Sequence, residues 1–213
     1  IINIGNFIVS SSSFVKVASK LFLEGAYVVA DGLMRDVLRA NNKLPTAQPY
    51  GTLTFTNRNP VAYNGNEQVN ASVFSVSGSD AIVDWVLLEV RNSSDPSIVV
   101  GRKAALIQRD GNIVDLDGIS DVRIDEIPSG NYLFAVRHRV HLATRTSTPL
   151  SFSETLTPID FTNNSNSVSN SQKILSGTSV YGLKAGDSNR DGRNSVLDIN
   201  PIGSAWNTSL ANF

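Results

Sequence analysis

One segment near the C-terminal end of the chain combines residue types and a spacing that suit a metal ion. Residues 187–198 carry side-chain oxygens at positions 1, 3, 5, 9 and 12 of a twelve-residue loop, with Gly192 at position 6. A carbonyl at position 7 would complete a cage of the kind that surrounds Ca²⁺ with six to eight oxygens at roughly 2.3–2.6 Å. The sequence therefore predicts a calcium site whose ligands are Asp187, Asn189, Asp191, the carbonyl of Arg193, Ser195 and Asp198.

The last position of this loop departs from the usual calcium pattern, and a second interpretation competes with the first. Position 12 is Asp198 where Glu is usual, so a shorter side chain must close the cage. Asp, Asn and Gly also favour surface turns through local hydrogen bonds. A plain turn accounts for residues 187–192 but not for Ser195 and Asp198 at ligand spacing, which favours the calcium interpretation.

The composition limits the classes of partner. Of the 213 residues 17% are charged, and the net charge is −1, so nothing favours nucleic acid or an anionic membrane surface. No apolar run approaches the roughly 20 residues that span a bilayer. Hydrophobic residues make up 41% of the chain, enough for a core, and the absence of Cys rules out disulfides. In a secreted protein a bound cation would be a substitute clamp.

The start of the chain and its polar composition bear on location. The sequence opens at Ile1 with neither an initiator Met nor a basic segment, which favours a mature product or a piece of a longer protein. Richness in Ser, Asn and Thr, together with absent Cys and a single Met, is typical of an extracellular or cell-surface protein.

Several segments in the middle of the chain indicate strands. Residues 81–91 are apolar at both parities and predict a strand covered on both faces, with Ile82, Val86 and Leu88 opposite Val83, Trp85 and Leu87. Asp110-Gly111 between apolar runs predicts a hairpin with a type I′ turn. Residues 131–142 alternate and predict a single strand with one face in the core and the outer end of the other in water.

These signals together predict a mainly β fold, an antiparallel β-sandwich of the Ig-like or jelly-roll-like kind. One short helix is expected within 32–42, where Leu33, Val37 and Leu38 have helical spacing and Asn41-Asn42 is a stop signal. The chain divides into an N-terminal strand with a Ser linker (1–13), the sandwich (14–160), a polar linker or loop (161–182) and a calcium-binding segment (183–213).

Other residues that could do chemistry have simpler explanations. His138 and His141 are the only histidines, and side chains three apart on one strand point to opposite faces, so the pair is not expected to share a metal. Asp115 and Asp117 precede a glycine and fit a solvated strand end and turn, with a second cation site as the alternative. Trp85 is expected in the core, whereas three tyrosines are expected at the surface: Tyr27, Tyr50 and Tyr63.

A series of motifs from residue 23 to residue 198 resembles a known module. It resembles the C-terminal module of large secreted or surface proteins, often called haemagglutinin-like, of Bacteroidota-type bacteria. The motifs are LEGAY at 23–27, LPTAQPY at 44–50, VDWVLLEVR at 83–91, AALIQRDGNIVDLDG at 104–118, GNYLFAVRHRVHL at 130–142 and the loop that follows Gly186. The resemblance implies an extracellular β-rich module with an attached calcium loop, and it implies no reaction.

The calcium loop by itself resembles half of a type I dockerin. Asp198-Ile199 and Ile202 follow the loop as in a dockerin repeat, but this chain shows one such loop where dockerins have two. Asn194 also stands where a dockerin has an apolar residue. The resemblance therefore implies an EF-hand-like calcium unit without the paired helices of a cohesin interface.

The expected function is that of a non-catalytic structural or adhesive module stabilised by Ca²⁺, with a carbohydrate-binding module of a secreted multidomain protein as the alternative. Its partners would be other copies of itself, other domains of a larger surface protein, or a glycan. Residues 1–9 predict an apolar strand that belongs to this domain, ends a preceding one, or adds to a sheet of a neighbouring copy in a filament. No nucleophile or set of convergent titratable groups predicts an enzyme.

Overall fold

The computed structural model describes residues 13–53, 55, 63–163, 165–168, 172–175 and 177–201. The predicted N-terminal strand (1–9), Ile202 and everything after it lie outside these residues. The described chain is mainly β, as predicted, with one α-helical turn, α1 (Val37–Ala40), and four short 3-10 turns (Pro49–Thr52, Ala71–Ser75, Gly78–Asp80 and Val196–Asp198). The strands are β1 (Phe14–Lys20), β2 (Tyr27–Val28), β3 (Leu33–Met34), β4 (Ile82–Asn92), β5 (Val99–Gln108), β6 (Asn112–Val114), β7 (Val122–Asp125), β8 (Gly130–His138), β9 (His141–Arg145), β10 (Leu150–Phe152), β11 (Leu156–Asp160), β12 (Gln172–Ile174) and β13 (Tyr181–Leu183).

Nine of these strands form one sheet. Its order is β10-β8-β4-β5-β6-β1-β11, while β7 also pairs with β1 and β9 also pairs with β8. The pairs are antiparallel, as expected, apart from β1 and β11, which run parallel from Lys16 opposite Leu156 to Lys20 opposite Asp160. Two small antiparallel sheets, β2-β3 and β12-β13, complete the described strands.

Strand β4 is buried on both faces, as its sequence predicted. One face contributes Val86, Leu88 and Val90 to a large apolar cluster, and the other contributes Trp85 and Leu87 to a second cluster. Ile82 and Val83 lie on the faces opposite to those predicted for them, because a bulge interrupts the pairing with β5 between Ile82 and Asp84. Ile82 therefore joins Trp85, and Val83 joins Val86.

The second cluster is closed by an irregular segment rather than by a strand. The Trp85 indole N–H donates to the Pro45 carbonyl (2.9 Å), and the Tyr50 hydroxyl donates to the Trp85 carbonyl (2.8 Å). Tyr50 is fully buried and Tyr63 is buried, so the prediction of surface positions is wrong for both. Tyr27 is half-buried against the Phe22 ring. The buried Tyr50 hydroxyl thus provides a hydrogen-bond donor for the backbone carbonyl of Trp85, which precedes the part of β4 that pairs with β8.

The Asp110-Gly111 hairpin forms, but not with the predicted turn. Gly111 has φ of 91°, whereas Asp110 is not among the residues with positive φ, and a type I′ turn needs both. The N–H of Gly111 donates to the Gln108 carbonyl (3.0 Å), so residues 109–111 make a three-residue connection between β5 and β6.

The predicted helix is a single turn. Leu33 and Met34 lie in β3 instead, paired with β2, and α1 ends at Asn41-Asn42, where Asn42 adopts φ of 53°. In the described part of the chain, no helix is long and apolar enough to cross a membrane.

Leu175 and strand β13 pack on the core of the large sheet. Leu175 and Leu183 belong to the large apolar cluster. The Leu183 N–H donates to the Phe22 carbonyl (2.8 Å), and the Glu24 N–H donates to the Leu183 carbonyl (3.0 Å). Strand β13 therefore places residues 184–187 beside the start of the domain.

We expect Tyr50→Phe to lower the free energy of unfolding by about 1–3 kcal/mol, because it leaves the buried Trp85 carbonyl without its donor. Chemical denaturation of both variants measures the effect. Tyr27→Phe is the matched control, since its half-buried ring packs on Phe22, and it should change stability little. Equal effects of the two substitutions would show that the Tyr50 hydroxyl does not support β4.

Candidate metal-binding site

The first half of the predicted calcium loop is held in a tight turn by hydrogen bonds from its own backbone N–H groups to its side chains. The Gly192 N–H donates to both carboxylate oxygens of Asp187 (3.2 Å each). The Asp191 N–H donates to the Asn189 side chain (3.0 Å), and the Arg193 N–H donates to the Asp191 carboxylate (2.8 Å). Gly192 has φ of 76°, which explains the glycine at position 6. The side-chain oxygens of positions 1, 3 and 5 thus all accept backbone N–H groups of the same tight turn.

The second half of the loop is closed by Asp198. Its carboxylate accepts the Ser195 N–H (2.7 Å) and the Asn189 N–H (3.2 Å), so it joins both halves of the loop. Ser195 caps the short helical turn Val196–Asp198, with its hydroxyl accepting the Leu197 N–H (3.2 Å). Asp198 and Asp187, the last and first predicted ligands, are both buried, at 5% and 4% exposure.

The carboxylates of the loop oppose one another electrostatically. Burial raises the pKa of Asp187 above its usual value, and the negative charges of Asp198 and Asp191 raise it further, although the Gly192 N–H acts the other way. The charges of Asp198 and Asp191 therefore disfavour the ionised form of Asp187. A cation among them would reverse this effect.

The donor set fits a hard cation only when its neutral oxygens are included. In the described residues no group of three or more His, Cys, Asp or Glu side chains is arranged to hold a metal ion by itself. The predicted cage draws on the Asn189 amide, the Ser195 hydroxyl and the Arg193 carbonyl as well as on three carboxylates. All six are oxygen donors, which is the chemistry Ca²⁺ requires.

The loop is fastened to the sheet at its first ligand. The N–H groups of Gly186 and Asp187 both donate to the Val140 carbonyl (3.1 and 3.3 Å). One step earlier the Leu142 N–H donates to the Lys184 carbonyl (2.9 Å). Asp187 is thus held directly against the turn between β8 and β9.

The turn between β8 and β9 shows that the prediction for the two histidines is wrong. The segment 131–142 is two strands, not one: Arg139 and Val140 form a turn, and His138 pairs with His141. Residues directly opposite each other in an antiparallel pair lie on the same face. The rings therefore meet, with their Nδ1 atoms 2.8 Å apart, instead of pointing to opposite faces. His138 itself is a buried, hydrogen-bonded histidine.

Asp84 holds His138 from the neighbouring strand β4. Its carboxylate lies 3.2 Å from the His138 Nε2 and accepts a bond from Arg139 (2.6 Å) and from the Trp85 N–H (2.8 Å). Burial would raise the pKa of Asp84, but His138 and Arg139 outweigh it, so the pKa is lowered and the carboxylate is ionised at neutral pH.

A second buried carboxylate lies further along β4. Glu89, at 1% exposure, accepts bonds from Arg91 (Nε, 3.0 Å), Arg102 (Nε, 3.1 Å) and Arg137 (Nε, 2.9 Å). Burial would raise its pKa, yet the arginines, Arg137 foremost, lower it. Arg137 is also buried. The charged residues Glu89 and Arg91 within the apolar run of β4 were the available signal for this cluster, because buried charges need partners of opposite sign.

Asp115 and Asp117 occupy the strand end and turn that were predicted for them. Asp117 accepts the N–H groups of Ile119 (2.9 Å) and Ser120 (2.8 Å), and Asp115 pairs with Lys103 (2.7 Å). The carboxylates are therefore engaged in holding this turn.

No protein family, curated protein or solved structure matches the chain. The module resemblance described above therefore stays a prediction, and the function must be argued from the site itself.

We expect Glu89→Gln to destabilise the fold by about 3–5 kcal/mol at neutral pH, because two buried guanidinium groups and a partly buried third, that of Arg102, lose their carboxylate. Since the folded pKa of Glu89 is lowered, its stabilisation is present at neutral pH and is lost as pH falls from about 4.3 through the folded pKa. Denaturation at several pH values should show the difference from the native chain shrinking in acid. Glu154→Gln, at an exposed position, is the control, and a loss as small as its own would contradict the argument.

We also expect Asp187→Asn to stabilise the loop when no cation is present, although it removes a ligand. The raised pKa of Asp187 means that the ion-free loop loses stability as pH rises through that pKa, and the amide removes the opposing charge. In chelator at neutral pH, hydrogen exchange at Gly192 should slow by about two- to fivefold. Asp31→Asn, at an exposed turn, should have no effect there. Faster exchange in Asp187→Asn would show that the carboxylates are not in conflict.

Proposed function

We propose that this chain is a non-catalytic extracellular module with a structural or adhesive role, whose C-terminal segment is held in place by Ca²⁺ bound at Asp187, Asn189, Asp191, Arg193, Ser195 and Asp198. The observation that supports the proposal best is the pair of buried acidic residues at the two ends of the loop. Asp187 and Asp198 are buried together and are tied to the loop backbone, while their charges oppose each other. A divalent cation at this point relieves the repulsion.

The mechanism of such a module is linkage between ion binding and folding. A cation that binds only the folded loop stabilises it by about 2.7 kcal/mol at a hundredfold excess over its Kd. Loops of extracellular modules function with a Kd of about 10⁻⁴–10⁻³ M. Because Asp187 is bonded to the Val140 carbonyl, the stabilisation reaches the β8–β9 turn as well as the tail.

A β-sandwich is the proposed architecture around this clamp. Two apolar clusters lie on opposite faces of β4, and large side chains fill both: Phe134, Phe152 and Phe161 in one, Trp85 and Tyr50 in the other. The layers packed over a doubly covered strand are what a sandwich provides. A β-sandwich of this kind suits a module with a structural or adhesive role.

The buried acids also support a non-catalytic role. Asp84 and Glu89 have lowered pKa values because arginine and histidine side chains hold their ionised forms. A catalytic acid or base works with a pKa near the operating pH. These carboxylates are tuned away from that range, which fits structural ion pairs.

The glycan-binding alternative finds no support among the described aromatic residues. The side chains that could have formed a platform, Tyr50, Tyr63 and Trp85, lie in the core. Strand addition by residues 1–9 concerns residues outside the described ones, and it stays a prediction together with the extracellular location.

Calorimetry of the purified chain tests the calcium proposal. We expect one Ca²⁺ per chain, and we expect no binding by Asp187→Ala combined with Asp191→Ala, because a cage without two carboxylates gains too little to offset dehydration of the ion. Asp31→Ala with Asp125→Ala is the control, since it removes the same charge from exposed sites outside the loop. Unchanged Ca²⁺ affinity in the loop variant would refute the assignment.

A further inference from the structure

The acceptors around the two histidines determine where their ring protons lie. The His138 Nε2 faces the Asp84 carboxylate (3.2 Å), and the His141 Nε2 faces the Glu24 carbonyl (3.0 Å). Neither partner can donate, since one is an ionised carboxylate and the other is a backbone carbonyl. Each Nε2 therefore carries its hydrogen and donates it, so that in either ring only Nδ1 can offer a lone pair.

These two lone pairs face each other. The Nδ1 atoms lie 2.8 Å apart in a buried position, with His138 at 3% and His141 at 7% exposure. The backbone N–H of Val140 also points at the His138 Nδ1 (3.4 Å), as it would toward a lone pair. Two facing lone pairs at this distance repel, so the arrangement calls for a cation, either one extra proton or a metal ion.

The surroundings favour the metal ion over the proton. An extra proton on the His138 Nδ1 would face the Val140 N–H. Metal-binding histidines commonly donate their other N–H to a carboxylate or a backbone carbonyl, which is what Asp84 and Glu24 accept here.

The separation of the nitrogens indicates the class of ion. An ion roughly 2.0–2.1 Å from each imidazole nitrogen would hold the two about 2.9 Å apart at a right angle and about 3.3 Å apart at a tetrahedral angle. The observed 2.8 Å matches neighbouring positions of a square-planar or octahedral ion. Imidazole ligands in that geometry suit copper(II) or nickel(II).

Space for further ligands lies next to the pair. A cavity of about 450 Å³ is lined by both histidines together with Asp84 and Arg139, and otherwise by mainly apolar side chains that include Leu23, Leu38 and Val83. Water or a small donor molecule in this cavity would fill the positions that the protein leaves open.

We infer that the Nδ1 atoms of His138 and His141 form a second cation site, which binds a late first-row divalent ion, copper(II) or nickel(II), with its remaining coordination positions open to the cavity. The site uses nitrogen donors and is separate from the oxygen loop proposed for Ca²⁺.

Copper(II) added to the full chain in excess Ca²⁺ is the direct test, since Ca²⁺ occupies oxygen donors and leaves imidazoles available. We expect one copper ion per chain by calorimetry, and an electron paramagnetic resonance spectrum with coupling to two nitrogens. The chain has only two histidines, so such a signal has one source. His141→Gln keeps an N–H donor for the Glu24 carbonyl and should weaken copper binding by tenfold or more.

The controls separate this site from the calcium loop. Asp187→Ala with Asp191→Ala should abolish Ca²⁺ binding and leave copper binding unchanged, so that either proposal can fail alone. Thermal unfolding shows whether His141→Gln is folded, and if it is not, the spectrum of the native chain decides. Absence of two-nitrogen coupling there, with NMR showing one extra proton shared by the rings at pH 7, would overturn the metal site.

Discussion

The burial of β4 on both faces is the constraint on which the rest of the molecule depends. A strand covered on both sides cannot turn a charged side chain to water, yet this strand contains Asp84 and Glu89. An unpaired buried charge costs several kcal/mol, so each carboxylate needs cationic partners close by. The partners come largely from β8 and the turn after it: Arg137 bonds Glu89, and Arg139 bonds Asp84.

The same ion pairs determine where both candidate cation sites lie. With Arg137 and Arg139 anchored on β4, the β8–β9 turn is held at one end of the sheet, and His138 is drawn to Asp84. Val140 then presents its carbonyl to the N–H groups of Gly186 and Asp187. Asp187, the first of the proposed calcium ligands, is therefore positioned by a turn whose own place depends on the buried carboxylates, although these residues lie far apart in the sequence.

The features that could be predicted from the sequence are those that depend on residues close together along the chain. The spacing of the proposed calcium ligands could be read from the sequence because they lie in one contiguous segment, and the apolar run of β4 was long enough to indicate burial on both faces. The turn at Arg139-Val140 was missed because it contains no Gly, Pro, Asn or Asp, and Val136, Val140 and Leu142 continue the alternation across it. The bulge in β4 exchanged the faces of Ile82 and Val83 for a related reason, since an extra residue leaves no local mark. The burial of Tyr50 was not predicted, because Tyr50 lies in a segment whose sequence has neither strand nor α-helix periodicity.

The two proposed sites differ in donor chemistry, and this difference explains how they could lie against one turn without competing for ions. The loop offers carboxylate, amide, hydroxyl and carbonyl oxygens, which suit Ca²⁺, and it contains no imidazole. The histidine pair offers two nitrogens fixed by Asp84 and Glu24, which are poor donors for Ca²⁺ and good ones for copper or nickel. Val140 lies between them, with its N–H directed to the His138 ring and its carbonyl accepting from Asp187. The two sites therefore share a structural neighbour in Val140 but no donor atom, which is why the loss of one set of ligands leaves the other set intact.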